Sequence, residues 1–167
     1  MKQKKIILCG FMGCGKSTVG TLLAKKTGMS FVDLDNYIEK QEKKTVSQIF
    51  ADSGEEYFRK LERQAAKTLS EKKGVVIAAG GGTLTFPENV EALKKGGLIV
   101  LLDLPVETVA ERLKNDTTRP LLNRPDKERA MKELYDKRLP LYRAAADIIV
   151  NADNSPMQVC KEIMAAI

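Results

Sequence analysis

The sequence predicts an α/β fold, a five-stranded parallel sheet with helices on both faces, in a single domain spanning residues 1–167. Three observations lead there. Five short apolar runs recur along the chain, too unbroken for strands that face water on one side. Segments with apolar residues at helical spacing alternate with them. The first run also opens into a glycine-rich turn and then a helix, the order expected of a βαβ start.

Taken in order, Lys4–Cys9 is the first strand, bounded by Gly10. A helix from Lys16 to Thr27 carries Val19, Leu22, Leu23 and Lys26 at helical spacing and stops at Gly28. Phe31–Leu34 is the second strand, running into Asp33-Leu34-Asp35, and Asn36–Lys44 is helical. Thr45 and Gln48 fit a capping box that opens a short helix through Phe50 towards Gly54. Glu55–Glu71 is a longer helix with Phe58, Leu61, Ala65 and Leu69 along one face. Val75–Ala79 is a strand that runs into Gly80-Gly81-Gly82, and Pro87 begins a helix through Lys95. Leu98–Leu104 is a strand, followed by a helix from Pro105 to Lys114. Asn115–Asp126, with two prolines and no periodicity, is a loop. A helix over Lys127–Leu139, a strand over Asp147–Val150 and a helix over Pro156–Ala166 close the chain.

Composition excludes several chemistries. There is no histidine, and the three cysteines, Cys9, Cys14 and Cys160, lie in no metal-ligand spacing. A zinc site, a histidine-based triad and a disulfide framework are therefore not expected, and reduced cytoplasm is the expected location. The basic start, Met1–Lys5, precedes only the short apolar stretch Ile6–Cys9, which is neither a secretion signal nor a membrane span. No long apolar stripe is left over, so a monomer is expected.

The net charge is +6, and residues 112–143 hold ten Lys or Arg against five Asp or Glu, including six of the eight arginines. Such a segment serves either a nucleic-acid face or guanidinium groups converging on phosphate and carboxylate. Its only aromatic residues are Tyr135 and Tyr142, and acids are interspersed, which favours small anionic ligands over nucleic acid.

Residues 10–17, Gly-Phe-Met-Gly-Cys-Gly-Lys-Ser, fit G-x-x-x-x-G-K-[ST] at every fixed position, with a strand before and a helix after. Glycines let consecutive N–H groups turn inward at phosphate oxygens, and the helix N-terminus adds a favourable dipole. Lys16 would bring a cation to the β- and γ-phosphates, and Ser17 a hydroxyl ligand for Mg²⁺. Asp33 and Asp35, two apart at a strand's carboxyl end, would face the same way, one towards metal and one towards an acceptor hydroxyl. Arg59 and Glu62, three apart on a helix, fit an ordinary surface ion pair when taken by themselves. Gly80–Gly82 exposes backbone N–H groups where a ligand can approach closely. Cys14 has two readings, an activated thiol shielded by ATP or an inert small residue filling a variable position.

Together these residues resemble the shikimate kinase family of nucleoside monophosphate kinase-like P-loop proteins, and the resemblance covers nearly the whole chain. It rests on residues 10–20, the Asp33/Asp35 pair, Ile49-Phe50 with Gly54–Glu62, Gly80–Gly82, Arg119-Pro-Leu-Leu122 and Arg138-Leu-Pro-Leu-Tyr142, in the family's order. The resemblance implies transfer of the ATP γ-phosphate to the 3-hydroxyl of shikimate. It implies nucleotide contacts from Gly13, Cys14, Gly15, Lys16, Ser17, Thr18, Arg112 and Arg119, with Arg112 near the adenine and residues 152–156 on its other side. Ser17 and Asp33 would hold Mg²⁺. Shikimate would be held by Asp35, Phe50, Phe58, Arg59, Gly80, Gly81, Gly82 and Arg138, with Lys16, Asp35 and Arg119 catalytic. Residues 36–62 would form the substrate-binding helical region and 115–126 a lid. One position departs from the pattern: Ala79 stands where many members carry Thr or Ser. Other small-metabolite kinases, a non-catalytic nucleotide-binding module and a basic nucleic-acid binder are the competing readings.

Overall fold

A computed structural model describes residues 4–167; Met1–Gln3 of the basic start lie outside the described residues. The chain forms β1 (Lys5–Cys9), α1 (Lys16–Thr27), β2 (Ser30–Asp33), α2 (Leu34–Glu42), α3 (Val46–Ser70), β3 (Val75–Ala78), α4 (Pro87–Lys94), β4 (Gly97–Asp103), α5 (Val106–Leu113), α6 (Lys127–Ala145), β5 (Ile148–Asn151) and α7 (Pro156–Ala166). The five strands form one parallel sheet in the order β2-β3-β1-β4-β5. Every residue of β1 and β3 is buried, as are the central residues of β4. That pattern requires cover on both faces. Among the described residues, no helix is long and apolar enough to cross a membrane.

The register decides where chemistry can occur. Leu8 and Asp33 both pair with Ala78, so the carboxyl ends of β1, β2 and β3 finish side by side. Three loops therefore leave the sheet together: the glycine-rich turn after β1, the start of α2, and the triple glycine after β3. Ligand crevices of open α/β sheets form at such ends.

Three elements differ from expectation. β2 stops at Asp33, whose carboxylate caps α2 by accepting from the Asn36 N–H at 3.1 Å. Asp35 thus lies in a first helical turn, not on a strand. α6 passes the expected end at Leu139 and continues through Pro140 to Ala145. Proline removes one helical hydrogen bond, but burial of Tyr142 and Ala145 beyond it keeps the helix going. The loop over 115–126 contains one 3₁₀ turn, Pro120–Leu122, pinned by buried Leu122.

The Thr45–Gln48 capping box is present in both directions. α3 is kinked at Gly54, which separates the two predicted helices. Its φ of 85° and ψ of 170° belong to a region essentially reserved for glycine. A β-carbon there would meet nothing within 4 Å, so any cost of adding one is backbone strain alone. Gly54→Ala is expected to destabilise the fold by about 1–3 kcal/mol, measured as a shift in urea midpoint. An unchanged midpoint would show that the kink relaxes freely.

Candidate active site

The turn after β1 is built to receive an anion. Gly13 (φ 80°) and Gly15 (φ 94°) occupy left-handed backbone conformations. Gly15 is the N-cap of α1 and offers no side-chain cap, and the first turn of the helix holds no acid. The leading N–H groups of α1 therefore keep their donors and dipole for a ligand. Lys16 Nζ donates back to the carbonyls of Gly10 (2.7 Å) and Phe11 (3.2 Å), which holds the cation on the rim of the turn. Ser17 Oγ donates to Asp33 Oδ2 at 2.5 Å. Gly13, Gly15, Lys16, Ser17 and Thr18 line a cavity of about 280 Å³.

Two residues expected to contact nucleotide stand apart from that cavity. Cys14 is buried, its N–H donates to the Phe11 carbonyl at 3.2 Å, and its sulfur fills space beneath Gly10. A reactive thiol must be accessible, so burial favours the inert packing role. Arg112, exposed on α5, donates to the Gly13 carbonyl at 2.9 Å and so reaches the turn from outside.

A larger cavity of about 450 Å³ adjoins the first. Phe50 and Phe58, with ring centroids 5.2 Å apart, give it an apolar wall. Arg59 and Arg138 give it two cations. Arg59 is bonded to Glu62 at 2.9 Å and lies 5.5 Å and 5.6 Å from the ring centroids of Phe58 and Phe86. Glu62 is only 1% exposed and also accepts from Thr83 Oγ1 at 2.8 Å. The Arg59–Glu62 pair is therefore an internal strut, not the surface pair that its spacing alone suggests. Arg138 is 5% exposed, and among the described residues no carboxylate pairs with it. Burial holds it below the ordinary guanidinium range, and the Arg59 charge adds to that. An enclosed cation without an anion is costly, and a bound anion would offset that cost.

The triple glycine explains how these groups fit together. A β-carbon on Gly80 would stand 2.7 Å from Asp35 Oδ1, one on Gly81 3.0 Å from Arg138 Nη1, and one on Gly82 2.5 Å from Arg59 Nη1. None of the three has a left-handed φ. A side chain at any of the three would press on Asp35, Arg138 or Arg59, a constraint beyond the exposed N–H groups that the sequence suggests. The Tyr142 hydroxyl donates to the Gly81 carbonyl and fixes the turn from α6.

The two cavities share Met12, Asp33, Asp35, Gly81 and Arg119. Asp35 and Arg119 thus stand where the contents of one cavity meet the contents of the other. Asp35 Oδ1 is buried and, among the described residues, has no hydrogen-bond partner. Burial, with Glu62 and Asp33 nearby, pushes the Asp35 carboxyl up to about 6 against the opposing pull of Lys16 and Arg119. Arg119 pairs with Asp116 at 3.3 Å, and Ser47 at the start of α3 donates to the Thr118 carbonyl at 3.3 Å, tying the loop across the cavity mouth.

Sequence reasoning missed Met12, Phe86, Thr83 and the role of Tyr142. Met12 occupies a variable position of the phosphate-loop pattern, so nothing in the spacing marks it. Tyr142 stands four residues after Arg138, which puts both on one helix face, and that spacing was the available signal.

Comparison with known proteins agrees with this geometry. The shikimate kinase family model matches residues 12–167. The chain belongs to the shikimate kinase family. A shikimate kinase of Persephonella marina is 46% identical over 166 residues, covering 99% of each chain. The structure of the shikimate kinase from Acinetobacter baumannii in complex with shikimate superimposes with a TM-score of 0.94 at 36% identity, covering 98% of this chain and 92% of that one. The Aquifex aeolicus shikimate kinase structure gives 0.86 at 43% identity, covering 97% and 95%.

The raised Asp35 carboxyl has a measurable consequence for stability. Its folded pKa of about 6 exceeds the ordinary 3.8, so the folded chain keeps a proton that the unfolded chain has lost. The stability this contributes is full below 3.8 and is lost as pH rises through about 6. Asp35→Asn should therefore be more stable than the parent by about 3 kcal/mol at neutral pH and above, with the difference shrinking as pH falls towards 4 or so. Urea denaturation across that range measures it, and a pH-independent difference would contradict the assignment.

Proposed function

We propose that the chain transfers the γ-phosphate of ATP to the 3-hydroxyl of shikimate, giving shikimate 3-phosphate and ADP. The observation that carries this reading is the junction of the two cavities at Asp35 and Arg119. A phosphate-binding turn opens there onto a pocket whose two guanidinium groups suit a carboxylate.

Phosphoryl transfer has a loose transition state, so positioning and charge neutralisation dominate. Arg59 and Arg138 orient the acceptor carboxylate, and Phe50 and Phe58 bound its ring. Asp35 accepts a hydrogen bond, and then the proton, from the hydroxyl aimed at the γ-phosphate. Because Asp35 titrates near 6, it is the base only above that pH. Lys16 leaves the carbonyls of its own turn for phosphate oxygens, and Arg119 offsets charge as the bond to ADP breaks. The segment 115–126 acts as a lid over the region 36–62 and excludes water. Arg112 approaches the adenine side of the nucleotide.

Ser17 and Asp33 fit Mg²⁺: both supply oxygen, they already touch, and this ion needs few protein ligands when phosphates complete its shell. When bound, it would neutralise phosphate charge. The three buried free cysteines suit a reducing cytoplasm, where the chain works as a monomer.

A coupled ADP-release assay with shikimate, and quinate as decoy, tests the reading. Turnover with neither would overturn it. Arg138→Lys should raise the shikimate KM by about tenfold or more with a smaller effect on the ATP KM, since lysine cannot grip a carboxylate with two parallel bonds. An unchanged shikimate KM would remove Arg138 from the carboxylate site.

A further inference from the structure

A third cavity, of about 490 Å³, shares only Arg59, Leu121 and Arg138 with the proposed acceptor cavity. It adds the exposed Lys137 of α6, and among the described residues neither Lys137 nor Arg138 pairs with a carboxylate. The other charged groups around it are already engaged: Glu55 with Arg59, Arg124 with Asp126, and Glu133 with Arg129. The uncommitted charge is therefore positive, and one of its carriers is a nearly buried guanidinium.

The remaining walls are apolar. Phe86 and Leu141 line this cavity while remaining 38% and 41% exposed. Exposed large apolar side chains beside unpaired cations suit a ligand with an acid end and a flat body. Phe86 also lies 5.6 Å from the Arg59 guanidinium, so a ring stacked on Phe86 would stand beside that charge.

We propose that this cavity binds small ring-bearing organic carboxylates, and that its occupant and the acceptor oppose one another because both draw on Arg138. The opposition rests on the reading above that this arginine holds the acceptor. It must be reciprocal, since each ligand weakens the other by the same factor.

Benzoate is a suitable probe, and the double variant Lys137→Ala/Leu141→Ser removes walls of this cavity that line neither of the other two. Benzoate should raise the apparent KM for shikimate in the parent chain. The variant should bind benzoate about tenfold more weakly, both in the assay and by calorimetry without shikimate, while its KM and kcat without benzoate and its Tm match the parent's. Equal benzoate affinity in parent and variant would put the probe in the acceptor cavity and overturn the proposal. So would the absence of any benzoate binding to the parent. Calorimetry needs no turnover, so a chain that fails to phosphorylate shikimate counts against the proposed function and leaves the cavity test standing.

Discussion

The Gly80–Gly82 turn is the constraint on which the site depends, because Asp35, Arg138 and Arg59 each occupy the room that one missing β-carbon leaves. Tyr142 and Thr83 hold the turn from two directions, Tyr142 through the Gly81 carbonyl and Thr83 through its N–H to the Gly80 carbonyl at 3.2 Å. The turn can stand beside the phosphate loop only because β3 lies between β2 and β1. Strand order, register and three absent side chains together put a carboxylate and two guanidinium groups around one point.

That arrangement is electrostatically incomplete by itself. Glu62 balances Arg59 inside the fold, but among the described residues Arg138 has no anionic partner and Asp35 keeps an oxygen without a donor. Each imperfection costs stability. A ligand bearing one carboxylate and a hydroxyl removes both at once. The unmet interactions thus gather at the site, and the rest of the core carries the fold. The same Arg138 also lines the neighbouring cavity beside Lys137, which among the described residues pairs with no carboxylate.

Two further parts of the site attach to this centre at few points. α3 carries Phe50 and Phe58 on opposite sides of the Gly54 kink, so the kink sets how the two rings meet. The 115–126 segment is tied to α3 through Ser47 and Thr118, and its Arg119 stands at the junction of the two cavities. Contents of the larger cavity and the position of Arg119 are therefore linked through one helix end.

Local chemistry was legible in the residues alone: the alternation of strand and helix, the phosphate loop, the capping box at Thr45, and the acids and arginines of the site. These follow from periodicity, backbone preference and side-chain type, which act over a few residues. Long-range packing decided the rest. Asp33 ended its strand by capping α2, α6 passed Pro140 because residues beyond it are buried, and Glu62 left the surface to brace Arg59 against Thr83. Met12 and Phe86 carry no pattern of their own and gain their roles from what the sheet order sets beside them. Spacing along a chain records which groups are near in sequence; only the folded register brings residues such as Gly82 and Arg59 within one side chain's reach.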